Sequence, residues 1–397
     1  MRVVHIITRM VLGGAQENTL LCCEDLQRDF GDDVLLVTGP ALGPEGSLLE
    51  RARAGGVTTE IIPSLRRPIL PWADVVSYKA LRRVIRRFQP DVVHTHSAKG
   101  GILGRAAAWS LRVPAVIHTV HGAPFHPYQS ALSRLFFRWC ERWAAKRCHH
   151  LISVADAMTE LMTTSGVALA NRFTTIYSGM EVEPFLLSDQ LRPAARKKLS
   201  LNDSEIAVVA VGRLARLKGY EFLLPAMAGA ANRLKGLRLI IVGDGPRRPH
   251  LLRQAEALSL RCTWLGLIPP DEIPSILAAA DLVVHASLRE GLARVLPQAM
   301  IAGRHVVSFD IDGAAEVVCP GRTGWLIAPA NTPQLSETIV TVARGIRDGS
   351  VAPILPDIRY RLAEQFDHRQ TSRMTRDLYQ TVLAAQTRPS PEKKTAK

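Results

Sequence analysis

Arg213 and Lys218 stand five residues apart around the short segment that begins Val211-Gly212 and ends at Gly219. At the end of a strand, such a pair can converge on one diphosphate. Fixed cations there would stabilise the negative charge that grows on a departing phosphate. The competing reading is two solvated surface charges. A second segment, Ser287-Leu288-Arg289-Glu290-Gly291-Leu292-Ala293, leads into a helical pattern that carries Gln298 eight residues after Glu290. Two helical turns separate the carboxylate from the amide, so both can face one ligand. The carboxylate suits sugar hydroxyls and the amide suits ribose hydroxyls. Alternatively, Glu290 only favours a helix dipole. Leu12-Gly13-Gly14-Ala15 could bring backbone N–H groups to an anion, or could be a plain tight turn. Val242-Gly243-Asp244-Gly245-Pro246 reads as a turn able to shape a nucleotide pocket.

Two further sets could hold a metal. His94 and His96, with His118 and His121, form HxH and HxxH pairs at neighbouring strand ends, and imidazoles in such pairs can bind zinc. Catalytic zinc sites usually add a carboxylate, so no metal is expected. Asp310-Ile311-Asp312 is a DxD, read as strand-end acids that run into Gly313.

These residues need elements to hold them. Short β-branched runs at 3–7, 33–37, 58–62, 91–94, 115–119, 150–154 and 173–177 alternate with helical patterns such as 15–29 and 72–87. The alternation starts again with 207–211, 238–242, 262–265, 282–285 and 305–308. Strand–helix–strand alternation implies parallel, doubly wound sheets. The fold class is therefore α/β, with two Rossmann-like domains facing across a cleft. Ligands of such sheets bind beyond the carboxyl ends of the strands, which is where each motif falls. An irregular linker is expected over 179–202, which holds Pro184 and Pro193. The expected units are 1–185, 186–365, a final helix 366–386 and a disordered tail 387–397.

The chain of 397 residues is too long for one ordinary core. Residues 1–8 read as a first strand and not as a signal peptide. Cys22, Cys23, Cys140, Cys148, Cys262 and Cys319 show no CxxC spacing, so reduced thiols in a cytoplasmic protein are expected. The net charge of +14 admits nucleic acid, anionic lipid or phosphorylated substrates as partners. Without a zinc finger, an RNP-like motif or a basic arm, nucleic acid is not expected. Arg134, Arg138, Arg142 and Lys146 form a basic stripe beside Leu132, Leu135, Phe136, Trp139 and Trp143. Residues 132–147 thus read either as a helix lying on an anionic membrane surface or as a core-packed helix with a solvated basic face. The basic run at 81–88 could extend that surface.

In combination and order, these motifs resemble glycosyltransferase family 4, retaining enzymes of the GT-B fold. His94-Thr95-His96-Ser97-Ala98-Lys99-Gly100-Gly101, His118-Thr119-Val120-His121-Gly122, Asp312-Gly313-Ala314 and Gly321-Arg322-Thr323-Gly324 add to the resemblance, which covers about 1–366. The family's E-x7-E signature ends here in Gln298. An amide can still bind ribose hydroxyls. The resemblance implies that Arg213 and Lys218 hold the donor diphosphate and that Glu290 contacts the donor sugar. The backbone of Gly291, Leu292 and Ala293 would hold sugar and phosphate, Gln298 the ribose, with Gly13 and Gly14 near the phosphates. His121 would lie beside the reacting carbon. The expected reaction is front-face transfer from a nucleotide sugar, without cofactor or metal. The expected acceptor is a lipid-linked or saccharide precursor of a cell-envelope polysaccharide, reached from the inner leaflet of the cell membrane. The alternatives are a non-catalytic nucleotide-sugar-binding subunit and a GT-B-fold nucleotide-sugar epimerase.

Overall fold

The computed structural model describes residues 1–42 and 46–387. The expected tail 387–397 lies outside the described residues except for Thr387, which closes the last helix. A first sheet holds β1 (Arg2–Arg9), β2 (Asp33–Gly39), β3 (Thr58–Ile61), β4 (Val92–His96), β5 (Ala115–Val120), β6 (His150–Ser153) and β7 (Phe173–Thr175). Its order is β3-β2-β1-β4-β5-β6-β7. A second sheet holds β8 (Ile206–Val211), β9 (Leu237–Val242), β10 (Cys262–Gly266), β11 (Leu282–His285), β12 (His305–Phe309) and β13 (Gly324–Ile327), in the order β10-β9-β8-β11-β12-β13. Each pairing in both sheets is parallel.

Helices cover both faces of each sheet, so the central strands are buried on both sides along most of their length, not alternating. In β1, Val3 and Ile7 enter one apolar layer while Val4 and Ile6 enter the opposite one. In β8, Val208 and Ala210 face one layer and Ala207 and Val209 the other. Fully burying a Val or Ile side chain is worth about 1.5–3 kcal/mol, which is why these runs form the buried strands.

Two segments differ from the sequence reading. The stretch expected to be irregular forms helices Glu183–Leu186 and Ser188–Lys198. Pro184 sits in the first turn, where the missing N–H has no partner to lose. Arg192 and Arg196 then fasten the second helix to Asp281, Arg196 at 3.0 Å. The expected boundary at 185/186 thus falls within a helix. β13 escaped notice because its four residues, Gly-Trp-Leu-Ile, make too short a run.

The final helix, His368–Thr387, returns to the first unit and packs on Gly14–Phe30. Asp25 accepts from His368 and Ser372, each at 2.7 Å, and Tyr379 is fully buried. All six cysteines are free thiols.

The two units meet closely. Arg294 of the second unit reaches Glu17 of the first at 2.8 Å and the Gly14 carbonyl at 3.2 Å. Glu316 accepts the backbone N–H groups of Asp156 and Ala157, at 2.9 and 2.8 Å, at the start of helix Asp156–Thr164. Tyr177 donates to the same carboxylate at 3.0 Å.

Candidate active site

Strand order reverses between β1 and β4 in the first sheet and between β8 and β11 in the second. Chains leaving adjacent strands diverge at such a point and leave a crevice. The loop after β1 carries Gly13, and Gly14 opens the helix that follows. The loop after β8 carries Arg213 and Lys218, and the loop after β11 carries Glu290. Both crevices open into one cavity of about 550 Å³. His121, Arg213, Lys218, Glu290, Gly13, Gly14, Gly243, Gly291, Leu292, Ala293 and Gln298 all line it. The structure therefore brings every expected site residue to one wall system, though they come from both halves of the chain.

Lys218 donates to the Glu290 carboxylate, and His285 lies 3.4 Å from the same oxygen. Burial alone would raise the proton affinity of Glu290. The Lys218 ammonium and His285 overcome that and hold the carboxyl well below its ordinary value. The Glu290 N–H donates to Asp312 at 2.6 Å. Asp312 is itself pushed upward, first by burial and then by the Glu290 charge, although that N–H pulls it down. The demoted DxD thus contributes a carboxylate that fixes the Glu290 backbone.

Lys218 is aimed by the turn that follows it. Gly219 has φ +70, and a Cβ there would sit 1.6 Å from the Ala286 carbonyl oxygen. Gly291 makes the second close approach. A Cβ at Gly291 would lie 2.3 Å from the His121 carbonyl oxygen, across the gap between the units. Gly291→Ala is therefore expected to wedge the cleft. Overpacking of this kind costs about 1–3 kcal/mol, so kcat/KM should fall by roughly tenfold with an unchanged circular dichroism spectrum. Steady-state kinetics on the purified variant check this.

His121 belongs to a buried chain of imidazoles. Period-two alternation puts His94 and His96 on one face of β4, and the parallel register sets His5 of β1 beside His94. His121 Nε2 pairs with His96 Nδ1 at 3.1 Å, and His96 Nε2 pairs with His5 Nδ1 at 3.0 Å. His5 Nε2 faces the Tyr379 hydroxyl at 3.5 Å, which pairs with His94 Nδ1 at 2.5 Å. His94 Nε2 ends the chain on Thr119 at 2.7 Å. Burial lowers His121 to about 4, with the Arg294 cation adding to the effect, and lowers His5 to about 3. His121 therefore meets the cleft as a neutral imidazole near pH 7.

The ring nitrogens of His5, His94 and His96 lie within 4.8 Å of one another, close enough for a metal. The sequence reading grouped His94 and His96 with His118 and His121 and omitted His5. His118 instead turns to Thr95 at 2.9 Å. All six ring nitrogens of His5, His94 and His96 already have partners in the chain just described. Asp312, His285, His5 and the Arg294–Glu17 bridge were missed as parts of the site. Of these, Asp312 carried a signal in its DxD and in the Asp312-Gly313-Ala314 motif, and His285 carried one as the last residue of the strand that delivers Glu290.

Residues 13–179 match the family model of a glycosyl transferase 4-like domain, and residues 205–344 match that of glycosyl transferases group 1. The chain is a GT-B glycosyltransferase of family 4. The enzyme is 29% identical over 329 residues to the UDP-Gal:alpha-D-GlcNAc-diphosphoundecaprenol alpha-1,3-galactosyltransferase of Escherichia coli, covering 82% of this chain and 84% of that one. It is 29% identical over 305 residues to the alpha-D-kanosaminyltransferase of Streptomyces kanamyceticus, covering 71% and 73%. The Anabaena Alr3699/HepE structure in complex with UDP-glucose shares its fold, with a TM-score of 0.79 at 21% identity, covering 96% of this chain and 100% of that one.

Proposed function

We propose that this glycosyltransferase takes its sugar from a UDP-sugar and transfers it with retention to an acceptor presented at a membrane. The convergence of Arg213, Lys218, Glu290 and His121 on one cleft carries the donor assignment. The E. coli relative, which uses UDP-Gal, supports the choice of base. In this reading the incoming diphosphate takes Lys218 from Glu290. Lys218 and Arg213 then stabilise the leaving phosphate, and the released Glu290 binds sugar hydroxyls. Neutral His121 hydrogen-bonds the sugar near the reacting carbon. The acceptor hydroxyl attacks from the face the phosphate leaves, and the phosphate takes its proton. The two cations neutralise the diphosphate in place of a divalent metal. A binding screen of UDP-, GDP- and ADP-sugars, followed by NMR of the product anomer, tests the assignment. UDP-sugar binding and a retained anomer are expected, with turnover persisting in EDTA. An inverted product or metal-dependent turnover would refute the corresponding part.

The membrane side rests on helix Ala131–Ala145. Its inner face is anchored by the buried Glu141–Arg105 pair at 2.9 Å. Leu132 is 82% exposed and Trp139 60%, with Leu135 and Phe136 also exposed. Trp72, at 86%, and Val75 and Val76 are exposed on helix Pro71–Phe88, across an apolar groove that holds Trp109 and Trp143. These side chains are not core-packed, which favours the interfacial reading of residues 132–147. No helix among the described residues is long and apolar enough to cross a membrane. Liposome flotation is expected to recover the enzyme with anionic vesicles and not with neutral ones. L132E/W139E should weaken recovery several-fold, and equal recovery on both vesicle types would count against the surface.

A further inference from the structure

A second cavity of about 400 Å³ adjoins the donor cleft, and Glu290 is a wall of both. His126, Arg134 and Arg138 of the first unit face it, with Arg289 and Asp312 of the second. Its acids are already engaged. Asp312 accepts the Glu290 N–H, and Glu290 pairs with Lys218 on the donor side. Its cations are not matched in the same way. Among the described residues Arg134 forms no ion pair, Arg138 only donates to the Ser165 carbonyl, and Arg289 feels the charges of Asp312 and Glu290 without forming an ion pair with either. His126 Nδ1 is buried without a hydrogen-bond partner. Three guanidiniums and an unsatisfied ring nitrogen around a ligand-sized space point to an anion, and guanidinium geometry suits phosphate oxygens.

We propose that this cavity binds a phosphate or diphosphate carried by the acceptor, with Arg134, Arg138 and Arg289 as its cations. The proposal rests on the transferase reading above and names the acceptor class for the same site. The acceptor sugar would reach past Glu290 toward the donor, and the anion behind it would stay in the second cavity. Helix Ala131–Ala145 supplies Arg134 and Arg138 to the cavity while it exposes Leu132, Phe136 and Trp139 to solvent. One helix thus offers cations to a phosphate and an apolar face to whatever the phosphate is attached to.

The test uses the full chain saturated with UDP, so that the donor cleft is occupied, and titrates inorganic pyrophosphate by calorimetry. One site is expected, weakened at least about tenfold in R134Q/R138Q and again in R289Q, the scale of losing a charged hydrogen bond. Arg134 is exposed, while Arg138 is half-buried and loses its bond to the Ser165 carbonyl, so matching thermal melts check that the double variant keeps the fold. No heat from pyrophosphate, or equal affinity in R134Q/R138Q, overturns the proposal. Farnesyl diphosphate serves as the second probe. Tighter binding than pyrophosphate supports the site and assigns its anion to a lipid. Equal binding supports it and assigns the anion to a soluble sugar phosphate. If UDP itself fails to bind while pyrophosphate binds in an Arg134-dependent way, the donor reading falls and the anion site stands.

Discussion

Lys218→Ala is expected to lower turnover at least ~100-fold, the scale of removing one preorganised charge from a developing anion. The structure gives two reasons for so large an effect. The diphosphate loses one of the two cations that converge on it. Glu290 also loses the ammonium that opposes its burial and positions it, so its proton affinity rises, although His285 still holds it down. Glu290→Ala should cost as much by a different route, since the donor sugar loses the carboxylate that binds its hydroxyls in the cleft. Donor affinity separates the two. Lys218→Ala should weaken binding of UDP alone, whereas Glu290→Ala should weaken only binding that depends on the sugar. Near-normal turnover in both variants would remove these residues from the reacting centre.

The fold should fail in mild acid. His5, His94, His96, His118 and His121 all have lowered proton affinity, caused first by burial. Unfolded histidines protonate as pH falls through about 6.5, while the buried ones stay neutral until far lower. The unfolded state therefore binds more protons over that window. Stability is fully present above pH 6.5 and is lost as pH falls toward 4. Each histidine costs about 1.4 kcal/mol per pH unit below 6.5. His368 works in the other direction. Burial would lower it, but its bond to Asp25 prevails and raises it. It is one group against these five, and burial also lowers His126, His149, His150 and His305. Since whole domains hold together by about 5–15 kcal/mol, unfolding is expected near pH 5. Urea midpoints at pH 7.5 and 5.5 measure the loss. Equal midpoints would mean that these rings stay hydrated or charged in the folded protein.

Both sheets, and the placement of the eleven expected site residues along one cavity, were legible because much of each rests on local chemistry. Val and Ile runs announce strands whatever surrounds them. Glu290, Gly291 and Gln298 announce a ligand-facing turn and helix within one short segment. What was hidden is what depends on distant neighbours. His5 looks like any strand residue until the register sets it beside His94. Asp312 looks like a strand-end acid until it receives the Glu290 N–H from 22 residues away. The prolines at 184 and 193 suggested irregular chain, yet Arg192 and Arg196, held on Asp281, keep the segment helical. The exposure of Trp139 could not be told from burial by spacing alone, because an amphipathic stripe looks the same against a core or a bilayer.

The carboxylate of Glu316 has a mechanical consequence. It caps a helix that belongs to the opposite half of the molecule. A rotation that parts the halves at this point would pull the carboxylate from the two backbone donors it serves. Losing a helix cap costs about 1 kcal/mol, so the open form carries that penalty until the halves swing back. The cap behaves as a weak spring set outside the catalytic gap. It biases the resting molecule toward the shut arrangement without touching either substrate.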